Sequence, residues 1–206
     1  MTGYLKNMVE SYSLPEINFT LQDVLPSEGE VLWPGREEFT TTKDISVTSD
    51  ETLHKFLTIS NPMYFNHGPA NLKRLHRDRL NQPLMLEWLI KNFGSEGEWL
   101  MTGNFLWEKG DFMGWHTNYT SPGIRCYFAY SWEDNSNIFR YRNPYTEEVI
   151  DSYDKKGWNL RLFHVNADNP FWHCVVINSK RISLGFNNVN PSQKLIERAE
   201  SCYQSQ

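Results

Sequence analysis

The stretch FWHCVVINSKRISLGFN, residues 171–187, contains two short apolar runs separated by Asn178-Ser179. Short runs that are rich in β-branched and aromatic residues and bounded by turn formers are typical of β-strands. The same texture begins near Glu98 and predicts eight strands, at 98–107, 111–119, 124–131, 137–142, 147–152, 159–165, 171–177 and 180–187. Eight short strands at this spacing favour an all-β jelly roll or barrel over alternating βαβ units.

Helical patterns flank these strands. Residues 81–93 have a proline in the first turn, Gly94 as a stop and an apolar stripe at Leu86, Leu89, Ile90 and Phe93. Upstream, the spacing of Thr48 and Glu51 matches a capping box. Downstream, Asn190 is a candidate cap, followed by Pro191 at the first helical position. We therefore predict a single domain over 1–206, with an irregular and helical part at 1–94, a β core at 95–188 and a closing helix at 190–206.

Composition excludes several classes of function. The net charge of −5 disfavours non-specific nucleic-acid binding, which needs clustered cations to neutralise phosphates. The chain has no signal-peptide pattern and no apolar run of the roughly 20 residues that a membrane span requires. Three cysteines, at spacings that match no motif, indicate free thiols. We expect a soluble, cytoplasmic protein that does not bind membranes.

The residues with the strongest chemical signal are His116, Asn118 and His173, followed by Arg181 and Ser183. Residues two apart on a strand share a face, so His116 and Asn118 are expected to point the same way. Two imidazoles and a side-chain oxygen on one side of a metal leave the other side open, as O₂ chemistry at non-haem Fe(II) requires.

These stretches resemble the 2-oxoglutarate- and Fe(II)-dependent oxygenase superfamily, particularly its short prolyl-hydroxylase-like members. The matching segments cover residues 113–118, 171–176 and 181–186, and the resemblance spans about 95–188. It implies a double-stranded β-helix (a cupin-like jelly roll) with flanking helices. It also implies an enzyme that hydroxylates a substrate, which the sequence does not identify, while O₂ and 2-oxoglutarate are consumed and succinate is formed.

The resemblance implies roles for individual residues. The metal ligands would be His116, Asn118 and His173. The distal carboxylate of 2-oxoglutarate would be held by Arg181, with Ser183 adding a hydroxyl. Fe(II) and 2-oxoglutarate would be the cofactors, with ascorbate a candidate reductant. On the third predicted strand, Arg125 and Tyr127 on one face, or Tyr130 on the other, are candidates to help bind the keto acid, and the sequence does not choose between the faces.

Asn118 departs from the family pattern, which has a carboxylate at this position. Its neutral amide oxygen is a poorer donor for a hard dication, so weaker metal retention is expected. Three outcomes are open: Asn118 is a weak third ligand, the site works with two histidines and water, or catalysis has been lost. The alternatives to an oxygenase are a non-catalytic cupin-like binding domain, a structural or assembly protein, and a metallohydrolase. The last is disfavoured because no acidic cluster for a second metal accompanies the histidines.

The spacing between His173 and Arg181 also makes a geometric prediction. If both lie on neighbouring strands of one hairpin, their side chains share a face only when the connection has an odd number of residues or contains a bulge. We therefore predict a three- or five-residue connection, or a bulge, near Asn178-Ser179.

Overall fold

A computed structural model describes residues 14–26, 44–58, 73–118 and 120–204 of the chain. The described α-helices are α1 (Leu21–Val24), α2 (Asp50–Leu57), α3 (Gln82–Phe93) and α4 (Gln193–Gln204). The described strands are β1 (Lys73–Arg74), β2 (Trp99–Trp107), β3 (Phe112–His116), β4 (Gly123–Ser131), β5 (Ile138–Arg142), β6 (Val149–Tyr153), β7 (Gly157–Val165), β8 (His173–Val176) and β9 (Arg181–Asn188). Short 3-10 helices occupy Ile45–Thr48 and Arg77–Arg79.

The strands form two antiparallel sheets. One has five strands in the order β1-β2-β9-β4-β7, and the other has four in the order β3-β8-β5-β6. The prediction of a mainly β core with flanking helices is confirmed. The two-residue strand β1 was not predicted, because two residues are too short to show any periodicity.

The five-stranded sheet is covered on both faces. One face packs on α1, α3 and α4 around a cluster that includes Trp88, Phe128 and Leu195. The other face meets the four-stranded sheet through a second cluster, which includes Phe139 and Phe163. This double burial explains why β4 and β9 consist almost entirely of buried residues rather than alternating ones.

A third cluster lies on the outer face of the four-stranded sheet, where α2 covers it. Phe56 of α2 stacks on Trp172 with ring centroids 6.0 Å apart, and Trp115 is fully buried beside them. The two tryptophans that precede His116 and His173 in sequence therefore point away from the space between the sheets. Alternation along a strand then directs the two histidines inward.

Three details of the helices differ from the predictions. The stripe of α3 is formed by Met85, Trp88, Leu89 and Phe93, whereas Ile90 is 46% exposed. The Trp88 ring packs on Phe128 with ring centroids 5.3 Å apart. The cap of α2 is Ser49, whose hydroxyl accepts from the Thr52 amide, because the hydroxyl of Thr48 donates to the Ile45 carbonyl in the preceding turn.

The closing helix begins later than predicted, at Gln193 rather than at the Asn190 cap and Pro191. The Asn190 amide donates to the side-chain oxygen of Asn188, which holds this segment at the end of β9. The Ser192 hydroxyl then accepts from the Leu195 amide at 3.4 Å.

The hairpin predicted between β8 and β9 is wrong, because the two strands belong to different sheets. The chain crosses between the sheets at residues 177–180. The side-chain oxygen of Asn137 accepts from the amides of Asn178 and Ser179, both at 3.0 Å, and its amide nitrogen donates to the hydroxyl of Ser131 at 3.0 Å. His173 and Arg181 consequently approach the same space from opposite sheets, and the rule for an odd-length connection does not apply.

No helix in the part of the chain that the structure describes is both long and apolar enough to cross a bilayer. The predicted free thiols are confirmed: Cys126 and Cys174 are buried and Cys202 is half-buried.

Replacing Phe128 by alanine should lower the free energy of unfolding by about 3–5 kcal/mol, the usual loss for a fully buried aromatic ring. Phe128 is fully buried and contacts Phe19, Trp88 and Phe186 with ring centroids 5.3–5.9 Å away. Urea titration followed by tryptophan fluorescence measures the change. Leu100→Ala on β2 is the matched control, because Leu100 is 42% exposed. Equal losses in the two variants would contradict the packing described.

Candidate functional site

A cavity of about 370 Å³ lies between the two sheets. Among the residues singled out from the sequence, six that line it are His116, Asn118, Tyr127, His173, Arg181 and Ser183. Its wall also includes Arg74, Thr102, Gly103, Arg125 and Gly185. No aspartate or glutamate is among the described residues of the lining.

The pairing of β3 with β8 brings the two histidines together. His116 is directly opposite His173 in the register of these strands, and their ring centroids are 4.1 Å apart. The register shifts between Met113 and His116, which marks a bulge or irregularity in β3 just before the histidine. Such irregularities re-aim the side chains that follow them, and here that side chain is one of the two imidazoles.

Each imidazole is held by a backbone carbonyl two residues earlier in the chain. His116 Nδ1 is 2.8 Å from the Gly114 oxygen, and His173 Nδ1 is 3.1 Å from the Phe171 oxygen. A carbonyl only accepts, so each Nδ1 carries the proton and each Nε2 keeps its lone pair. A histidine that ligates a metal through Nε2 is usually oriented in this way.

Both imidazoles are neutral at ordinary pH. Burial lowers the pKa of His116 to about 4, and the nearby Arg125 acts in the same direction. Burial also holds the pKa of His173 well below its usual value, helped by His116 and by Arg125. Protons therefore compete poorly for the two nitrogens that face the cavity.

Asn118 lines the same cavity, but it lies beyond the end of the strand and not on the strand as the sequence predicts. The strand β3 ends at His116, and Asn118 has a φ of 56°, a left-handed conformation that asparagine tolerates better than most residues. Its amide nitrogen donates to the Tyr127 hydroxyl at 3.0 Å and lies 3.2 Å from His173 Nε2. The side chain thus lies beside the lone pair of one histidine, and a half-turn of the amide would bring its oxygen there.

At the other end of the cavity, Arg181 is held by a buried carboxylate. Its Nε donates to Asp154 at 2.7 Å and its Nη1 donates to the Ser183 hydroxyl. Arg161 lies 2.7 Å from the other oxygen of Asp154. Burial opposes ionisation of Asp154, but the two guanidinium groups hold its pKa below the usual value. Sequence reasoning missed Asp154, which precedes Lys155-Lys156-Gly157 and looks like an ordinary turn residue.

The structure also distinguishes the two faces of β4. Arg125 and Tyr127 line the cavity. Tyr130 lies on the opposite face, where its ring packs against Trp132 and Trp158 at centroid distances of 5.0 and 5.2 Å. Of the three candidates left open by the sequence, the first two therefore face the histidines and the third does not.

His164 is separate from this site. Its Nδ1 lies 3.0 Å from a carboxylate oxygen of Glu200, on the side where α4 packs on β7. Within the described residues, no group of three or more His, Cys, Asp or Glu side chains is placed to hold a metal ion. The donors available in the cavity are two imidazoles and one amide.

No protein-family model matches this chain, and no curated protein or solved structure does. The interpretation of the site therefore depends on its own geometry and charge.

Acidification should destabilise the metal-free protein between about pH 6.5 and pH 4. The unfolded chain protonates His116 near its usual pKa of 6.5, whereas the folded protein does so only at about 4, so the unfolded state binds more protons in this window. We expect the free energy of unfolding to fall by about 2–3 kcal/mol, with His173 adding in the same direction.

Urea titrations at several pH values between 7.5 and 4.5 measure this slope. His116→Asn should flatten it, because the variant lacks the proton-binding ring. His54→Asn, on the exposed face of α2, is the matched control and should leave the slope unchanged. A His116→Asn variant that keeps the full slope would show that this ring is not the cause.

Proposed function

We propose that the fold is a double-stranded β-helix. Among the eight strands β2 to β9, the first pairs with the eighth, the second with the seventh, the third with the sixth and the fourth with the fifth. This nested order is that of a long antiparallel hairpin rolled into two facing sheets, which is the arrangement expected for a jelly roll. The cavity between the sheets then corresponds to the mouth of the barrel, a common place for ligand sites.

We propose that the protein is an Fe(II)- and 2-oxoglutarate-dependent oxygenase that hydroxylates its substrate. The observation that carries this proposal is the pair of facing imidazoles, each with an unprotonated Nε2, in a cavity that also contains Arg181 and Ser183. The residues fit the metal: His116 and His173 would ligate it through Nε2, and Asn118 would contribute its amide oxygen after a half-turn of the side chain. Bound iron and 2-oxoglutarate would activate O₂: the keto acid would lose CO₂ and give up two electrons, one oxygen atom would enter succinate, and the other would be available to hydroxylate the substrate.

The protein residues have distinct tasks in this proposal. Arg181 binds the distal carboxylate of the keto acid. A guanidinium has five N–H donors, and the hydrogen bonds to Asp154 and Ser183 use only some of them, so the remaining donors are available for the carboxylate. Asp154 is a positioning residue that fixes the guanidinium. The Tyr127 hydroxyl, which accepts from the Asn118 amide nitrogen before the half-turn, would donate to the amide oxygen after it.

The cavity charge supports an acidic co-substrate. Its ionisable residues are three arginines, two neutral histidines and Tyr127, whose pKa is raised by burial, with no acid among the described lining residues. A dianion such as 2-oxoglutarate is complementary to such a lining. A divalent ion without an anionic ligand adds to the positive charge, so metal and keto acid should bind cooperatively.

A second candidate function is an acid-binding domain without oxygen chemistry. The observation that favours it is Asn118, which leaves the described donor set without a carboxylate. Metal binding under anaerobic conditions separates the two candidates, because a binding-only domain has no need to hold iron in stoichiometric amount.

The purified protein with Fe(II), ascorbate and 2-oxoglutarate should form succinate. Arg181→Gln should reduce this rate by roughly 10- to 100-fold at low keto acid, the effect of losing a charge-assisted hydrogen bond. Arg142→Gln is the matched control, since Arg142 pairs with the exposed Glu147 at 2.8 Å. Absence of both metal binding and succinate above the Arg181→Gln level would overturn the oxygenase proposal.

Asn118→Asp should tighten metal binding by at least about ten-fold, because a carboxylate replaces a neutral donor beside His173. Titration with Mn(II), followed by electron paramagnetic resonance, measures the affinity directly. Thr120→Asp is the control, because Thr120 lines the cavity but is exposed. Equal gains in both variants would indicate a general charge effect and would argue against a ligand position at residue 118.

A further inference from the structure

Arg125 is a buried cation for which the described residues provide no ion-pair partner. Its side chain is 3% exposed, and it lines the cavity. Its Nη1 donates to the Thr102 hydroxyl at 3.0 Å and its Nη2 to the Ser121 carbonyl at 2.7 Å, whereas its buried Nε has no hydrogen-bond partner within the described parts of the chain. Arg181, by contrast, is ion-paired with Asp154. A buried charge without a counter-ion is costly, so the position of Arg125 favours an anionic ligand.

Arg125 and Arg181 lie at opposite ends of the same cavity wall. Arg181 is opposite Ser131 in the register of β4 and β9, six residues along β4 from Arg125. At about 3.4 Å per residue, the two backbone positions are roughly 20 Å apart. The even spacing puts both side chains on the same face. Two long guanidinium side chains therefore approach a common space from both ends.

The wall between them carries the ring of Tyr127. Gly185 lies opposite Tyr127 on one side and opposite Gly103 on the other. A Cβ at Gly185 would lie 3.0 Å from the Tyr127 ring, so a larger residue there would displace the ring. Tyr127 therefore lines the cavity between two cationic ends.

We propose that Arg125 is a second anion anchor and that the cavity binds a short aliphatic diacid without any metal, with one carboxylate at Arg181 and Ser183 and the other at Arg125. The inference rests on the proposed function in placing the ligand between the same residues. It adds a protein partner for the second carboxylate.

The position of Arg125 relative to the histidines supports this assignment. Arg125, His116 and His173 line the same cavity. A carboxylate held by Arg125 would therefore share that cavity with both imidazoles. A neutral ligand would leave the charge of Arg125 uncompensated.

The test uses metal-free protein in EDTA and two probes of equal chain length, glutarate and pentanoate, measured by isothermal titration calorimetry. The wild type should bind glutarate at least about ten-fold more tightly than pentanoate. Arg125→Gln should weaken glutarate binding by at least about ten-fold and change pentanoate binding by less than about three-fold, because Arg181 still holds one carboxylate. Arg142→Gln is the control and should bind both probes as the wild type does.

Three results would overturn the inference: glutarate that does not bind at about 10 mM, glutarate that binds no better than pentanoate, or an Arg125→Gln variant that binds glutarate within about two-fold of the wild type. If Arg125→Gln does not fold, Asn118→Asp provides the second test. Its new carboxylate near Tyr127 should weaken glutarate binding to metal-free protein by several-fold, and unchanged affinity there would overturn the inference.

This experiment separates the inference from the proposed function. Arg125-dependent glutarate binding without metal binding or succinate formation would retain the diacid site and discard the oxygenase. Succinate formation with glutarate binding that is insensitive to Arg125 would retain the oxygenase and discard the role of Arg125 in the diacid site.

Discussion

The site depends on the antiparallel pairing of β3 with β8. This pairing places two imidazoles opposite each other although 56 residues separate them in the chain. The outward-facing tryptophans next to each histidine anchor both strands on α2, and the backbone carbonyls fix each ring. Packing on one face of the four-stranded sheet therefore determines the direction of the nitrogen lone pairs on the other face, before any ligand is bound.

Charge is the second organising factor. The cavity combines guanidinium groups with imidazoles that burial keeps neutral, and Asp154, the one buried carboxylate among the described residues, is paired with Arg161 and Arg181. Asn118 stands where the resemblance to oxygenases predicts a carboxylate, so this position adds no negative charge to the cavity either. Under the proposed function, the negative charge of the site would come from the bound acid, and affinity for a cation would depend on the presence of that acid.

Much of the β core could be predicted from sequence, because turn residues punctuate the strands at regular intervals. All eight predicted strands exist, with ends that differ by a few residues. The connection between β8 and β9 could not be predicted, because Asn178-Ser179 suits a hairpin as well as a corner, and the side chain that selects the corner, Asn137, is about 40 residues away. Asp154 was missed for a similar reason: its partners lie on other strands. The candidate site residues could be identified from residue type and order in the sequence. Their hydrogen bonds, and the lack of an ion-pair partner for Arg125 among the described residues, became visible only in the three-dimensional structure.

The corner held by Asn137 has a mechanical consequence. The amide side chain of Asn137 makes hydrogen bonds at the connection between the sheet with the two histidines and the sheet with the cavity arginines. It is fully buried and is not part of the cavity wall. Asn137 therefore sets the spacing between the two sheets from outside the cavity. A shorter or longer side chain at residue 137 would change the width of the cavity without altering any residue that lines it.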